Sequence, residues 1–210
     1  MKRKRPLLLG TPGCGSVIVE GALTQAKIAY DYEEVDYEPG SATRDRLLAV
    51  NPLGQVPALV LPDGSVLTES AAIIHYAHDR APRAGLIPPR GDPARAGFYR
   101  WLFFLVCAVY PTFTYGDDTR KWVPDDAGSK LLRESTERHR QALWRQVEAA
   151  AGKPWFLGRR RSALDLYLAV MTRWRPGRKW FVENTPRVIA IAERVAKLSR
   201  VGAVIRRDFG

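Results

Sequence analysis

Between Asn51 and Ser70 the chain has to stop a helix, form two short strands joined by a tight turn, and start a second helix. Few folds accept that succession in twenty residues. Asn51-Pro52 ends a short helical segment, Ala42–Val50, because the residue before a proline is pushed out of the helical region. Ala58–Leu61 and Ser65–Leu67 read as strands, and Pro62-Asp63-Gly64 between them has the residues that a reversing turn demands. Ser70–Ala77 then continues as a helix. Upstream, Pro6–Leu9 reads as a strand, Ser16–Gln25 as a helix with Val17, Val19, Ala22 and Leu23 on its apolar side, and Tyr30–Val35 as a second strand. The order is β-α-β-α-β-β-α. A βαβ unit followed by a hairpin makes a small mixed sheet covered by helices.

The pattern changes after residue 80. Ala81–Pro93, rich in Pro, Gly and Arg, reads as a linker. Beyond it the periodicity is helical: Ala94–Val109, Ser129–Ala151 with Leu132, Ala142, Leu143 and Val147 inward, Ser162–Trp174, and Pro186–Leu198 with its proline in the first turn. This predicts an α/β domain over residues 1–80, a linker over 81–93, and an all-α bundle of about five helices over 94–210. Ser162-Ala163-Leu164-Asp165 has the form of a capping box.

Composition narrows the class. The 210 residues suffice for a sizeable core. The longest apolar run, around Trp101 to Val109, is too short to span a bilayer, so no membrane association is expected. The basic start, Met1-Lys2-Arg3-Lys4-Arg5-Pro6, followed by Leu7–Leu9, imitates a signal peptide, but Gly10, Pro12 and Gly13 interrupt it; a solvated basic tail is expected instead. Two cysteines, Cys14 and Cys107, make no disulfide framework, which points to a reducing, cytoplasmic setting. No Cys/His spacing resembles a zinc site, no metal is expected, and His75 reads as a packed or hydrogen-bonded residue. Of the net charge of +11, residues 1–80 carry 8 Lys/Arg against 10 Asp/Glu, so the excess lies wholly in the remainder. There the cations alternate with acids along helices, which describes a solvated face rather than a nucleic-acid stripe.

Gln55-Val56-Pro57 and Glu69-Ser70, at this spacing and inside this element order, resemble the glutathione-binding half of the soluble glutathione transferases, bacterial type. The Ser162-x-x-Asp165 box, far along the chain, matches the same family. The resemblance implies a thioredoxin-like first domain followed by an all-helical one. It implies a cis bond before Pro57, which an X–Pro amide tolerates at little cost. Val56 would meet the cysteinyl part of glutathione through its backbone, as an added strand residue. Glu69 would face the α-ammonium, and Ser70, at a helix start, the γ-glutamyl carboxylate. Gln55 would lie near the ligand. A homodimer is implied too.

A transferase must favour the thiolate of its bound thiol. Gly10-Thr11-Pro12-Gly13-Cys14-Gly15-Ser16 lies where the family keeps its thiol-activating turn, and it offers Ser16, Cys14 and Thr11. Ser16 also reads as an N-cap. Aligned without gaps, the family's usual cysteine falls on Gly15, so the activating group stays open among the three. A hydroxyl implies conjugation to a small electrophile; a low-pKa Cys14 implies thiol-disulfide exchange or a lyase reaction. The electrophile pocket is expected between the domains, on the Trp101–Phe113 helix, with Tyr110 and Phe113, and also Tyr115, as candidate lining residues or simply bundle core. A non-catalytic, protein-binding member of the family is the remaining alternative.

Overall fold

The computed structural model describes residues 4–36 and 40–210. Of the expected basic tail it includes Lys4 and Arg5, both exposed, and the first three residues lie outside the described part.

Three consecutive leucines make β1 (Leu7–Gly10), and all four of its residues are buried because it is an inner strand. The helix α1 (Ser16–Gln25) supplies the crossover that a parallel pairing needs. It leads to β2 (Asp31–Glu34), parallel to β1 with Leu7 opposite Asp31. The helix α2 (Ala42–Val50) starts at Ser41, whose hydroxyl accepts the Thr43 N–H at 3.2 Å. It is followed by β3 (Ala58–Val60) and β4 (Val66–Leu67), then α3 (Ser70–Arg80). β3 runs antiparallel to β1, Leu9 opposite Ala58, and β4 antiparallel to β3. The four strands lie in the order β2-β1-β3-β4. This is the thioredoxin-like β-α-β-α-β-β-α arrangement with a mixed sheet. Leu7, Leu9, Val35, Leu47 and Ala58 form one core cluster, with Val56 packed against it. Leu8 points to the other face by the period of two, the side where α1 packs against α3.

Ala81–Pro93 is more than a tether. A 3₁₀ turn occupies Pro82–Ala84, and Leu86 and Ile87 are buried. Past it lies a compact unit, Arg90–Glu193. Its first helix, α4 (Ala94–Phe104), passes through a π-helical turn, Leu105–Val109, into α5 (Tyr110–Asp117). Pro111 accounts for the change of register. It has no N–H to offer the carbonyl four residues back and its ring crowds that carbonyl, so a wider turn absorbs both faults. Ala94–Asp117 is therefore one helix of 24 residues, longer than the sequence pattern suggested, and by length and composition able to cross a membrane. It is a core helix of this unit, with Phe98, Trp101, Leu102, Leu105, Val109 and Phe113 buried.

The 25-residue α6 (Asp126–Ala150) begins three residues before the expected start, since Asp125 accepts the Gly128 N–H at 2.7 Å as its cap. Its inward face is Arg140, Leu143, Trp144 and Val147. Ala142, expected inward, is exposed because it lies one residue off that three-and-four spacing. Then come α7 (Ala163–Met171), buried along its whole length, α8 (Arg178–Asn184), α9 (Pro186–Ala196) and α10 (Ser199–Phe209). The helical part has more helices than the five expected, because α8 and α10 form from segments that the sequence pattern assigned to no helix. The last helix does not belong with the others. Arg194–Gly210 groups with the residues up to Pro89 in the first compact unit, where α10 packs along α1.

Candidate functional site

β1 delivers the chain to a turn that closes on itself. Cys14 N–H donates to the Thr11 carbonyl at 3.2 Å, and Gly13 has φ +72°, a region that glycine enters without a Cβ penalty. Ser16 is 1% exposed. Its hydroxyl donates to the Thr11 carbonyl at 2.9 Å and accepts the Thr11 N–H at 3.1 Å. Ser16 thus ties the start of the turn to its end. It is the first residue of α1, while Gly15 holds the cap position without a side-chain bond. The Thr11 hydroxyl donates to the Val35 carbonyl at 2.5 Å. Cys14 is half-buried and in no disulfide. Gly10 allows this closure: a Cβ there would meet Ser16 Cβ at 2.8 Å and the Tyr32 ring at 2.8 Å.

The second wall comes from the loop before β3. The sequence marked Asn51 only as a helix stop, yet it organises that loop. Its Nδ2 donates to the Gln55 carbonyl at 2.8 Å, its Oδ1 accepts the Leu53 N–H at 3.3 Å, and its own carbonyl accepts the Gly54 N–H at 2.8 Å. A buried asparagine with these bonds satisfies the loop's polar groups and holds the backbone that leads into Val56 and Pro57. Gln55 is exposed, Val56 half-buried and Pro57 buried. The Val56–Pro57 bond is cis, as the resemblance implied.

The third wall is the start of α3. Glu69 holds φ 62° and ψ 111°, without a capping bond from its side chain, and its carbonyl accepts the Ile73 N–H at 3.1 Å. A non-glycine residue held there costs about 1–3 kcal/mol, and such outliers cluster at ligand sites. The Glu69 side chain is exposed and Ser70 is half-buried. Ser70 opens an 11-residue helix, so a carboxylate placed there meets the positive end of the helix and its first N–H groups. His75, further along α3, is half-buried.

Tyr110, Phe113 and Trp174 form an edge-to-face cluster within the helical unit, with centroids 5.5 Å apart for Tyr110–Trp174 and 5.3 Å for Phe113–Trp174. Phe113 is buried and Tyr110 half-buried. Beneath Phe113 the Arg140 guanidinium lies 4.0 Å from the ring centroid. It donates to Thr112 Oγ1 at 2.9 Å and to the Thr112 carbonyl at 2.8 Å, and pairs with Glu137 at 2.7 Å. Phe113 is thus a core residue and Tyr110 the more open edge of the cluster.

The capping box of α7 forms in full. Asp165 accepts the Ser162 N–H at 2.7 Å and the Phe156 N–H at 2.8 Å. Burial pushes its carboxyl up to about 6, against the pull of those two donors. Among the described residues no group of three His, Cys, Asp or Glu side chains is placed to hold a metal ion.

Known proteins share this architecture. The model of the glutathione S-transferase N-terminal domain matches residues 16–80. The uncharacterized GST-like protein YncG of Escherichia coli strain K12 is 38% identical over 202 residues, 95% of this chain and 96% of its own length. Glutathione S-transferase GstA of Escherichia coli O157:H7 is 32% identical over 75% of both chains. Among solved structures, a glutathione transferase homolog from Sulfitobacter with bound glutathione has a TM-score of 0.89 at 28% identity, covering 99% of this chain and 100% of its own. A sphingomonad glutathione S-transferase complexed with glutathione has a TM-score of 0.72 at 28% identity, covering 96% of this chain and 98% of its own. The chain belongs to the glutathione S-transferase family.

Proposed function

We propose that this protein binds glutathione and sets its thiol up for attack on an electrophilic small molecule. The observation that carries the reading is Glu69, held at positive φ immediately before Ser70 at the start of α3. Strain at that point is retained where a ligand needs it. The glutathione carried by the Sulfitobacter homolog, which matches along the whole chain, supports the same ligand. In this reading the backbone of Val56 pairs with the cysteinyl unit beside Pro57 and Gln55. Glu69 takes the α-ammonium and Ser70 the γ-glutamyl carboxylate, so that both ends of the zwitterion are neutralised.

The thiol then lies over the Thr11–Ser16 turn. Ser16 already spends its hydroxyl on the Thr11 backbone, and Thr11 donates to Val35. Cys14, half-buried and in no disulfide at the head of α1, is our first choice for the side chain nearest the sulfur, ahead of Thr11 and Ser16. The open edge at Tyr110 is our candidate contact for the electrophile. Attack by the glutathione thiolate forms a carbon–sulfur bond and expels the leaving group, and the thiol proton passes to solvent.

Retention on immobilised glutathione tests the reading. The native protein should be retained, and Ser70→Ala should lose about tenfold or more in affinity, the worth of a hydrogen bond to a charged group. A native protein that passes through unbound would favour a protein-binding role for the fold. Cys14 supports a second reading, thiol-disulfide exchange. Its thiolate would attack a glutathione mixed disulfide, release the partner thiolate, and be freed by a second glutathione thiolate, with glutathione disulfide as product. Cys14→Ala would abolish that reaction and leave conjugation measurable.

A cytoplasmic homodimer is part of the proposal. Phe103, 53% exposed on α4, is the kind of apolar group that a second copy would cover. Sedimentation at micromolar concentration should report two chains, and Phe103→Asp should shift it to one.

A further inference from the structure

The end of the chain lies behind the Thr11–Ser16 turn. The Asp208 side chain is only 1% exposed, although it stands close to the C-terminus. Its Oδ1 accepts the Gly13 N–H at 3.4 Å, and its Oδ2 accepts from Arg207 Nε at 3.1 Å and Nη2 at 2.5 Å. Phe209 lies over the same glycine: a Cβ on Gly13 would stand 3.7 Å from its ring edge. Gly13 is thus backed by a carboxylate and an aromatic ring from the last turn of α10.

Arg207 fixes where that last turn sits. It makes a two-pronged bond to Glu20, Nη1 to Oε1 at 2.8 Å and Nη2 to Oε2 at 2.6 Å. Glu20 is a buried carboxylate and the one charged residue of α1. Such a group is tolerated when paired and bonded, and Arg207 together with the Tyr30 hydroxyl, donating at 2.8 Å, supplies both needs. The Arg207 guanidinium also stands 5.6 Å from the centroid of the Tyr32 ring, the ring that closes on Gly10. Both glycines that shape the turn are therefore backed by groups that α10 holds in place.

We infer that Arg207 and Asp208 are positioning residues for the Gly10–Ser16 turn, so that the last turn of the chain sets the geometry in which that turn meets a thiol. The inference rests on the glutathione reading for its function, but the clamp can be tested without glutathione. The carboxylate holds the Gly13 N–H inward, which leaves the Cys14 end of the turn in one orientation. Loss of either residue lets the turn open.

The experiment uses the full chain in a Cys107→Ser background, so that Cys14 is the sole thiol. Its rate of alkylation by iodoacetamide is measured without glutathione, and glutathione affinity is measured by calorimetry. Asp208→Ala should speed Cys14 alkylation at least fivefold and weaken glutathione at least fivefold. Asp208→Asn, which keeps an acceptor for Gly13, should stay within twofold on both. Arg207→Gln, at a half-exposed position and with an amide that can still donate to Glu20, should show the same acceleration as Asp208→Ala and decides the matter if that variant does not fold. All alkylation is read well below the lowest melting midpoint, where global opening contributes nothing. Alkylation unchanged in both Asp208→Ala and Arg207→Gln, or an Asp208→Asn protein as altered as Asp208→Ala, would overturn the inference. A native protein that does not bind glutathione would overturn the glutathione reading alone, with the alkylation rates still deciding on the clamp.

Discussion

Glu69 is the residue at which stability and the proposed glutathione binding oppose each other. Its φ of 62° suits glycine better than glutamate. Glu69→Gly should therefore raise the unfolding free energy by about 1 kcal/mol and, by removing the partner proposed for the ligand's ammonium, weaken glutathione severalfold. Chemical denaturation and calorimetry on the same preparation would reveal the trade. Gly10 works in the opposite sense. Gly10→Ala places a methyl 2.8 Å from Ser16 Cβ, so about 2 kcal/mol of destabilisation is expected, read as a lower denaturant midpoint. At this scale the sequence was informative where a residue type is rare in its local pattern. Glu-Ser opening a helix and Val-Pro before a strand stood out. Asn51 did not, because Asn-Pro already explains itself as a helix stop and its three loop bonds are made by atoms that no periodicity reveals. Ser16 was legible as a helix-start hydroxyl, but its pairing with Thr11 depends on a turn whose closure only geometry shows.

Among the elements, α7 has the clearest electrostatic signature. The Asp165 carboxyl is raised in the folded state, to about 6 from an ordinary 3.8. A raised carboxyl binds its proton more tightly when folded, so its contribution to stability is complete below pH 4 and is lost as pH rises through about 6. The stability of the native protein relative to Asp165→Asn should accordingly improve by about 2 kcal/mol between pH 7 and pH 4. Urea unfolding of both proteins at several pH values measures it, and a flat difference would contradict the shift. Arg140 makes a second prediction. Burial lowers its pKa, but Glu137 and Thr112 keep it bonded. Arg140→Ala leaves the Thr112 carbonyl and a cavity beneath Phe113, and a loss of about 3–5 kcal/mol is expected in thermal or urea unfolding. The elements of the first unit were legible because periods of two and of 3.6 alternate there, with a Pro-Asp-Gly turn between β3 and β4. The helical unit was less so. The expected helix stopped at Val109, whereas a π-helical turn carries it past Pro111 to Asp117. The helix was expected from Ser129, although Asp125 caps α6 and it starts at Asp126.

For the whole molecule, the feature of most consequence is where α10 packs. Nothing near Ser199–Phe209 announces that this helix belongs beside α1. The bonds that fix it join residues 187 positions apart, and patterning along the chain carries no such information. A chain ending at Leu198 should lose the cooperative unfolding of the first unit, since α1 would show water a face that α10 covers and Glu20 would be left without its cation. A melting curve that stayed single and sharp after that truncation would count against this view of the fold. The arrangement also orders events during synthesis. A ribosome completes the sheet and its first helices early, then makes over a hundred residues before the helix that finishes this half emerges. Until α10 emerges, the nascent chain carries an uncovered greasy flank with an acid embedded in it, which makes that interval the one in which chaperones have most to shield.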